Sequence, residues 1–200
     1  MKDNYILTAE SVTAGHPDKL CDTIADSVLD ACLKEDPNAR VACEVLATVG
    51  KILVAGELRT TANPDVEAIV RQVVRNGGYD CNYHVEVRLH TQSPNIAGAV
   101  DGDTLGAGDQ GIMYGYACWE TVELLPAPVV LANRITSLLT TCREEKLISG
   151  IGPDGKAQVS VQYAFGVPER VDTIVISCQH DADKDTDELR EELCRLVIAR

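Results

Sequence analysis

An α+β fold is predicted by three observations. Apolar, β-branched segments of strand length come in closely spaced pairs, and segments with helical apolar spacing follow them. The order hairpin, Asp-containing polar entry, amphipathic helix also occurs twice, once over 40–74 and once over 157–200. Sequence identity between the two stretches is negligible, so the repeat is one of pattern. Two related units of sheet packed against helices satisfy it.

The elements follow in order. Leu20, Ile24, Val28, Leu29 and Leu33 form a helical stripe over 17–35, and Asp36-Pro37-Asn38 ends it, since a residue before proline avoids helical backbone. RVACEVLAT (40–48) and ILVAGELRT (52–60) read as a hairpin around Val49-Gly50-Lys51. Asn63-Pro64-Asp65 opens a helix to about Arg75, with Val66, Ile69, Val70 and Val73 on one face, closed by Asn76-Gly77-Gly78. A strand over 83–91 comes next. From Gln92 to Gly108 the residues are mostly small and polar, which predicts a long exposed loop. IMYGYACWE (112–120) has strand composition, and 127–146 reads as a helix with proline in its first turn. AQVSVQYAF (157–165) and VDTIVISCQ (171–179) form the second hairpin about a turn at 166–170, and DELREELCRLVIAR (187–200) the last helix. The expected division is 1–120, including the loop at 92–108, and 121–200. Arg200 falls in mid-helix without a stop signal, which suggests a fragment.

Composition narrows the function. The formal net charge is −13, from 31 acidic and 18 basic residues, with no basic stripe to displace counterions from a nucleic acid. A polyphosphate ligand remains compatible if divalent ions stand between carboxylates and phosphates. No secretory leader or bilayer-length apolar run is legible, so a cytoplasmic location is expected. The eight cysteines are spread evenly, with no C-x-x-C, and read as buried free thiols rather than a disulfide framework.

Two polar clusters carry candidate chemistry. GAGDQG (106–111) spells G-x-G-x-x-G, but a loop precedes it and a strand-like segment follows, so the βαβ context of a dinucleotide fingerprint is missing. No Gly-Lys-Ser/Thr follows either, which removes a Walker-type loop. What remains is a glycine turn carrying Asp109 and Gln110, either a site or a plain turn with a solvated carboxylate. GHPDK (15–19) puts His16, Asp18 and Lys19 at the start of a helix, where anions are favoured. Its plainer reading is a helix opened by Pro17-Asp18. Glu44 and Glu57 interrupt the two apolar strands of the first hairpin. Such carboxylates need a partner or belong to the solvent face. Asp154 and Lys156 lie in GPDGK (152–156), a common turn and a weak signal. His84, His90 and His180 show no ligand spacing.

In this order, ESVTAGHPDKLCDTIADSVLDA (10–31), NARVACEVLAT (38–48), AGELRTTA (55–62), TQSPNIAGAVDG (91–102), GAGDQGIMYGYA (106–117), LLPAPVVLANR (124–134), GPDGKAQVSVQY (152–163) and VISCQH (175–180) resemble methionine adenosyltransferases. The match covers essentially all of this chain but about half of a family member. It implies an adenosyl-transferring enzyme: methionine sulfur attacks C5′ of the ATP ribose, and the displaced tripolyphosphate is hydrolysed to phosphate and diphosphate. It implies His16 and Lys156 as catalytic residues, with His16, Asp154 and Lys156 on ATP. Glu57, Gln92 and Asp109 would contact methionine, Asp18 would hold Mg²⁺ and Glu44 K⁺. It further implies a gate from Gln92 to about Gly102, a homodimer or dimer of dimers with shared active sites, and three repeats about a pseudo-threefold axis. The segment between Tyr79 and Gln92 is shorter than in many bacterial members, Asn133 stands where histidine often precedes Arg134, and Ala9 and Ala14 replace commoner polar residues. The alternative is a catalytically inactive module that folds or dimerises without turnover, and the chain alone is expected to be inactive.

Overall fold

A computed structural model describes residues 4–80, 82–91 and 111–199. It is mixed α+β, with two three-stranded sheets, each packed against helices. The elements are β1 (Asn4–Val12), α1 (Pro17–Glu35), β2 (Arg40–Thr48), β3 (Lys51–Arg59), α2 (Val66–Asn76), β4 (His84–Thr91), α3 (Ala127–Glu144), β5 (Ile151–Ala164), β6 (Val167–His180), α4 (Thr186–Leu193) and a π-helical turn (Cys194–Ile198).

Two compact units divide them: the described residues of Met1–Lys19 with Tyr116–Arg200, and those of Leu20–Gly115. In the first, β5 lies between β1 and β6, antiparallel to both. Its core sets the period-2 face of β5 (Ala157, Val159, Val161, Tyr163) against the helical stripe Ala132, Ile135, Leu139 and Cys142 of α3. Leu189 and Val197 join the same cluster. Ser160, on the other strand face, is buried yet satisfied by Thr8, 2.8 Å away directly across the register. In the second unit, β2 and β3 form an antiparallel hairpin, and β4 returns parallel to β3 after α2. Ile52 and Val54 of β3 pack on Leu20, Ile24, Val28 and Cys32 of α1 and on Val66, Val70, Val73 and Val74 of α2.

The repeated pattern is present: hairpin then helix occurs as β2-β3-α2 and as β5-β6-α4. An aspartate caps both helices. Asp65 accepts the Ala68 N–H, and Asp185 accepts those of Asp187 and Glu188. Four expectations need correction. First, 112–120 forms no strand; no partner strand adjoins it among the described residues, and Ile112, Met113, Tyr114, Tyr116 and Trp119 are largely exposed. Second, the second hairpin is longer and its turn tighter. Phe165 and Gly166 alone connect the strands, at φ 52° and 84°, a left-handed pair that fits strand twist. Third, the last helix is α only over Thr186–Leu193 and continues as a π turn. Fourth, of the seven described cysteines, all free, only Cys32 and Cys142 are buried. β1 was not anticipated, because NYILTAESV lacks a clean alternation and its partner, β5, is remote in the chain. No helix among the described residues is long and apolar enough to cross a membrane.

Candidate functional site

In the first unit, β1 runs into a short link that places His16 beside the start of β5. Thr13 is the pivot. Its N–H reaches the Gly155 carbonyl at 2.9 Å, and its hydroxyl donates to the Pro153 carbonyl at 2.8 Å. Buried at 5% exposure, that hydroxyl has its hydrogen-bonding need met. Gly15 passes so close to Pro153 that a β-carbon would stand 2.5 Å from its carbonyl oxygen. Here glycine is a packing requirement. Backbone and side chain together therefore clamp the GHPDK turn to the GPDGK turn.

The clamp brings three predicted residues together. His16, Asp154 and Lys156 line one pocket of about 320 Å³ with Gly155, Ser177, Cys178 and Gln179. The Nδ1 of His16 accepts the Asp18 N–H at 3.2 Å and lies 3.8 Å from Asp18 Oδ2. With Nδ1 accepting, the proton of the neutral ring sits on Nε2. The His16 side chain is 21% exposed and that of Asp18 89%, so the ring lies in the fold and the carboxylate reaches into solvent. Lys156, on β5 opposite Val12, holds its Nζ 2.8 Å from Glu10 Oε1 of β1. Both partners are well exposed, and such a pair contributes little, so an incoming anion can displace it. Burial and the nearby Asp154 carboxylate push the Cys178 thiol up to about 11, which makes it an unreactive wall.

The other predicted residues lie elsewhere. Glu44 and Glu57 belong to the second unit, on the face of the β2-β3-β4 sheet opposite its helices. Glu44 is exposed and pairs across with Ala55; Glu57, partly buried, lies between Ala42 and His90. Gln92 and Asp109 lie outside the described residues, as do the expected gate at 92–102 and most of GAGDQG. No helix follows Gly111, so the dinucleotide reading gains no support. Sequence reasoning missed Thr13, Glu10 and Gln179. A buried threonine in a polar strand end carries no sequence signal, and the partners of Glu10 and Gln179 are far away in sequence.

Residues 4–103 match the family model described as S-adenosylmethionine synthetase, N-terminal domain, and residues 104–200 match that family's central domain. The chain is 47% identical over 211 residues to an S-adenosylmethionine synthase of Prochlorococcus marinus (strain NATL2A), covering 96% of this chain and 52% of that protein. Corresponding proteins of a Nitratiruptor species and of Finegoldia magna are 45% and 44% identical, with 99% and 98% of this chain covered and 54% and 55% of theirs. The chain spans about half the length of the curated relatives it matches. On both family models and on identity across nearly its whole length, the chain belongs to the S-adenosylmethionine synthetase family.

Proposed function

We propose that the chain carries part of the site at which methionine sulfur attacks C5′ of the ATP ribose. The C5′–O bond breaks as the S–C5′ bond forms, giving S-adenosylmethionine and tripolyphosphate, which water then splits into phosphate and diphosphate. The convergence of His16, Asp154 and Lys156 on one pocket carries this reading. Sulfur needs no general base, so the protein's work is orientation and stabilisation of charge on the leaving oxygen. The Nε2–H of His16 is the donor suited to that oxygen. The Lys156 ammonium, on leaving Glu10, meets a phosphate. Asp154, an acceptor only, suits the hydroxyl and amino groups of the nucleoside.

One carboxylate at the start of α1 suits a divalent ion only where a ligand's phosphates supply the other oxygens. No cluster of three or more metal-ligating side chains occurs among the described residues, and Asp18 is one exposed carboxylate. Mg²⁺ binds in that way, through one or two carboxylates plus substrate phosphates, keeping several waters. Asp18 would hold Mg²⁺, which when bound neutralises polyphosphate charge. Glu44 would help hold K⁺. Glu57, Gln92 and Asp109 would contact methionine. The working form is a cytoplasmic homodimer or dimer of dimers with shared sites.

The test is S-adenosylmethionine formation from ATP, methionine, Mg²⁺ and K⁺. The chain alone is expected to be inactive, and the chain joined to the further half its relatives carry to be active. In the longer form, His16→Asn should lower kcat about 10²–10³-fold, the cost of losing one transition-state donor. An unchanged kcat would remove His16 from the mechanism.

A further inference from the structure

The ladder between β5 and β6 shifts register at three places, and the first of them lies beside the pocket. Ile151 pairs with His180 and Gly155 with Cys178, so Gln179 alone faces Gly152, Pro153 and Asp154. A bulge of this kind leaves backbone groups without ladder partners and re-aims a side chain. Pro153 has no N–H to satisfy. The N–H of Asp154 does need a partner, and the Gln179 side chain supplies one: Oε1 accepts it at 3.2 Å. The glutamine lies flat against Gly152, where a β-carbon would collide with Oε1 and stand 2.5 Å from Cδ. On the opposite side, Thr13 and Gly15 hold Pro153. The peptide that carries Asp154 is therefore gripped by the link after β1 on one side and by β6 on the other, and Gln179 lines the pocket it serves.

One exposed hydrogen bond contributes little to folding, so its effect is directional. We propose that Gln179 is a positioning residue that aims the Asp154 carboxylate at the nucleoside part of the nucleotide. The inference rests on the nucleotide reading above. A carboxylate accepts from hydroxyl and amino groups and repels phosphates, whereas Lys156 and His16 are donors suited to phosphate. Gln179 therefore governs the preference for ATP over bare tripolyphosphate rather than phosphate affinity itself.

Gln179→Met keeps the length and removes the acceptor. In the ligand-free chain, amide exchange at Asp154 should speed up about fivefold to tenfold, and Gln179→Glu, which restores an acceptor at the same reach, should return it towards wild type. Titrations with ATP and with inorganic tripolyphosphate, each with Mg²⁺, should show Gln179→Met weakening ATP by about fivefold to tenfold and tripolyphosphate by less than about twofold. Gly152→Ala, which expels the glutamine, should reproduce both effects, and the double variant should add nothing further. Unchanged exchange at Asp154 in Gln179→Met overturns the inference. So does an equal loss for both ligands, which a merely structural role would give. If exchange responds but wild type, joined to the further half its relatives carry, binds neither ligand, it is the nucleotide reading of the pocket that fails.

Discussion

At Gly15 a β-carbon would meet the Pro153 carbonyl oxygen at 2.5 Å and its Cβ at 2.6 Å, so Gly15→Ala must push two strands' ends apart. We expect a loss of about 1–3 kcal/mol, read from the urea midpoint at unchanged m. Cys178 offers a second check at this scale. With its thiol pushed up to about 11, alkylation by iodoacetamide should be slow at pH 8 and climb tenfold per pH unit towards 11, since only about one thiol in a thousand is then ionised. A rate already level by pH 8 would contradict that environment. Residue contacts were legible in proportion to their locality. His16 and Asp18 stand together in GHPDK, so their closeness could be read directly. Thr13 and Gln179 act across 140 and 25 positions, and nothing in their own neighbourhoods announces it.

Elements fared differently, because periodicity is a local property. The bounds of α1 and the first hairpin were readable from the spacing of apolar residues together with the turn residues Asp36-Pro37-Asn38 and Val49-Gly50-Lys51, and the α2 cap from Asn63-Pro64-Asp65. Residues 112–120 show the limit: β composition makes a strand only where a neighbour supplies the ladder. The β3-β4 pair gives an element-scale prediction. Hydrogen bonds and charge from Lys51 and Arg88 hold the Glu86 carboxyl down to about 2 from 4.5. A lowered folded-state value means that this contribution is complete above about pH 4.5 and is lost as pH falls towards 2. Glu86→Gln should flatten the acid limb of the stability curve in that window, measured by chemical unfolding at stepped pH. An acid limb as steep as wild type would show that the cluster does not couple to folding.

At the scale of the molecule, what the sequence could not convey was pairing order, since adjacency in a sheet is not adjacency in the chain. The β1-β5-β6 sheet joins Asn4 to Ala164. Deleting residues 1–12 should therefore strip amide protection from β5 and α3 while leaving β2, β3 and α2 protected, as read by hydrogen exchange. Uniform loss across both units would contradict their independence. The same connectivity sets a timetable for synthesis. Chains leave the ribosome N-terminus first, and the residues from Leu20 to Gly115 can assemble their core as soon as they emerge. Strand β1 emerges before them all and then waits, its edge unpaired, until β5 has been made. For that interval, the turn bearing His16 is a tethered end. The pocket comes into being only when the last of its strands arrives, so an interrupted translation product could hold a folded second unit and no such pocket at all.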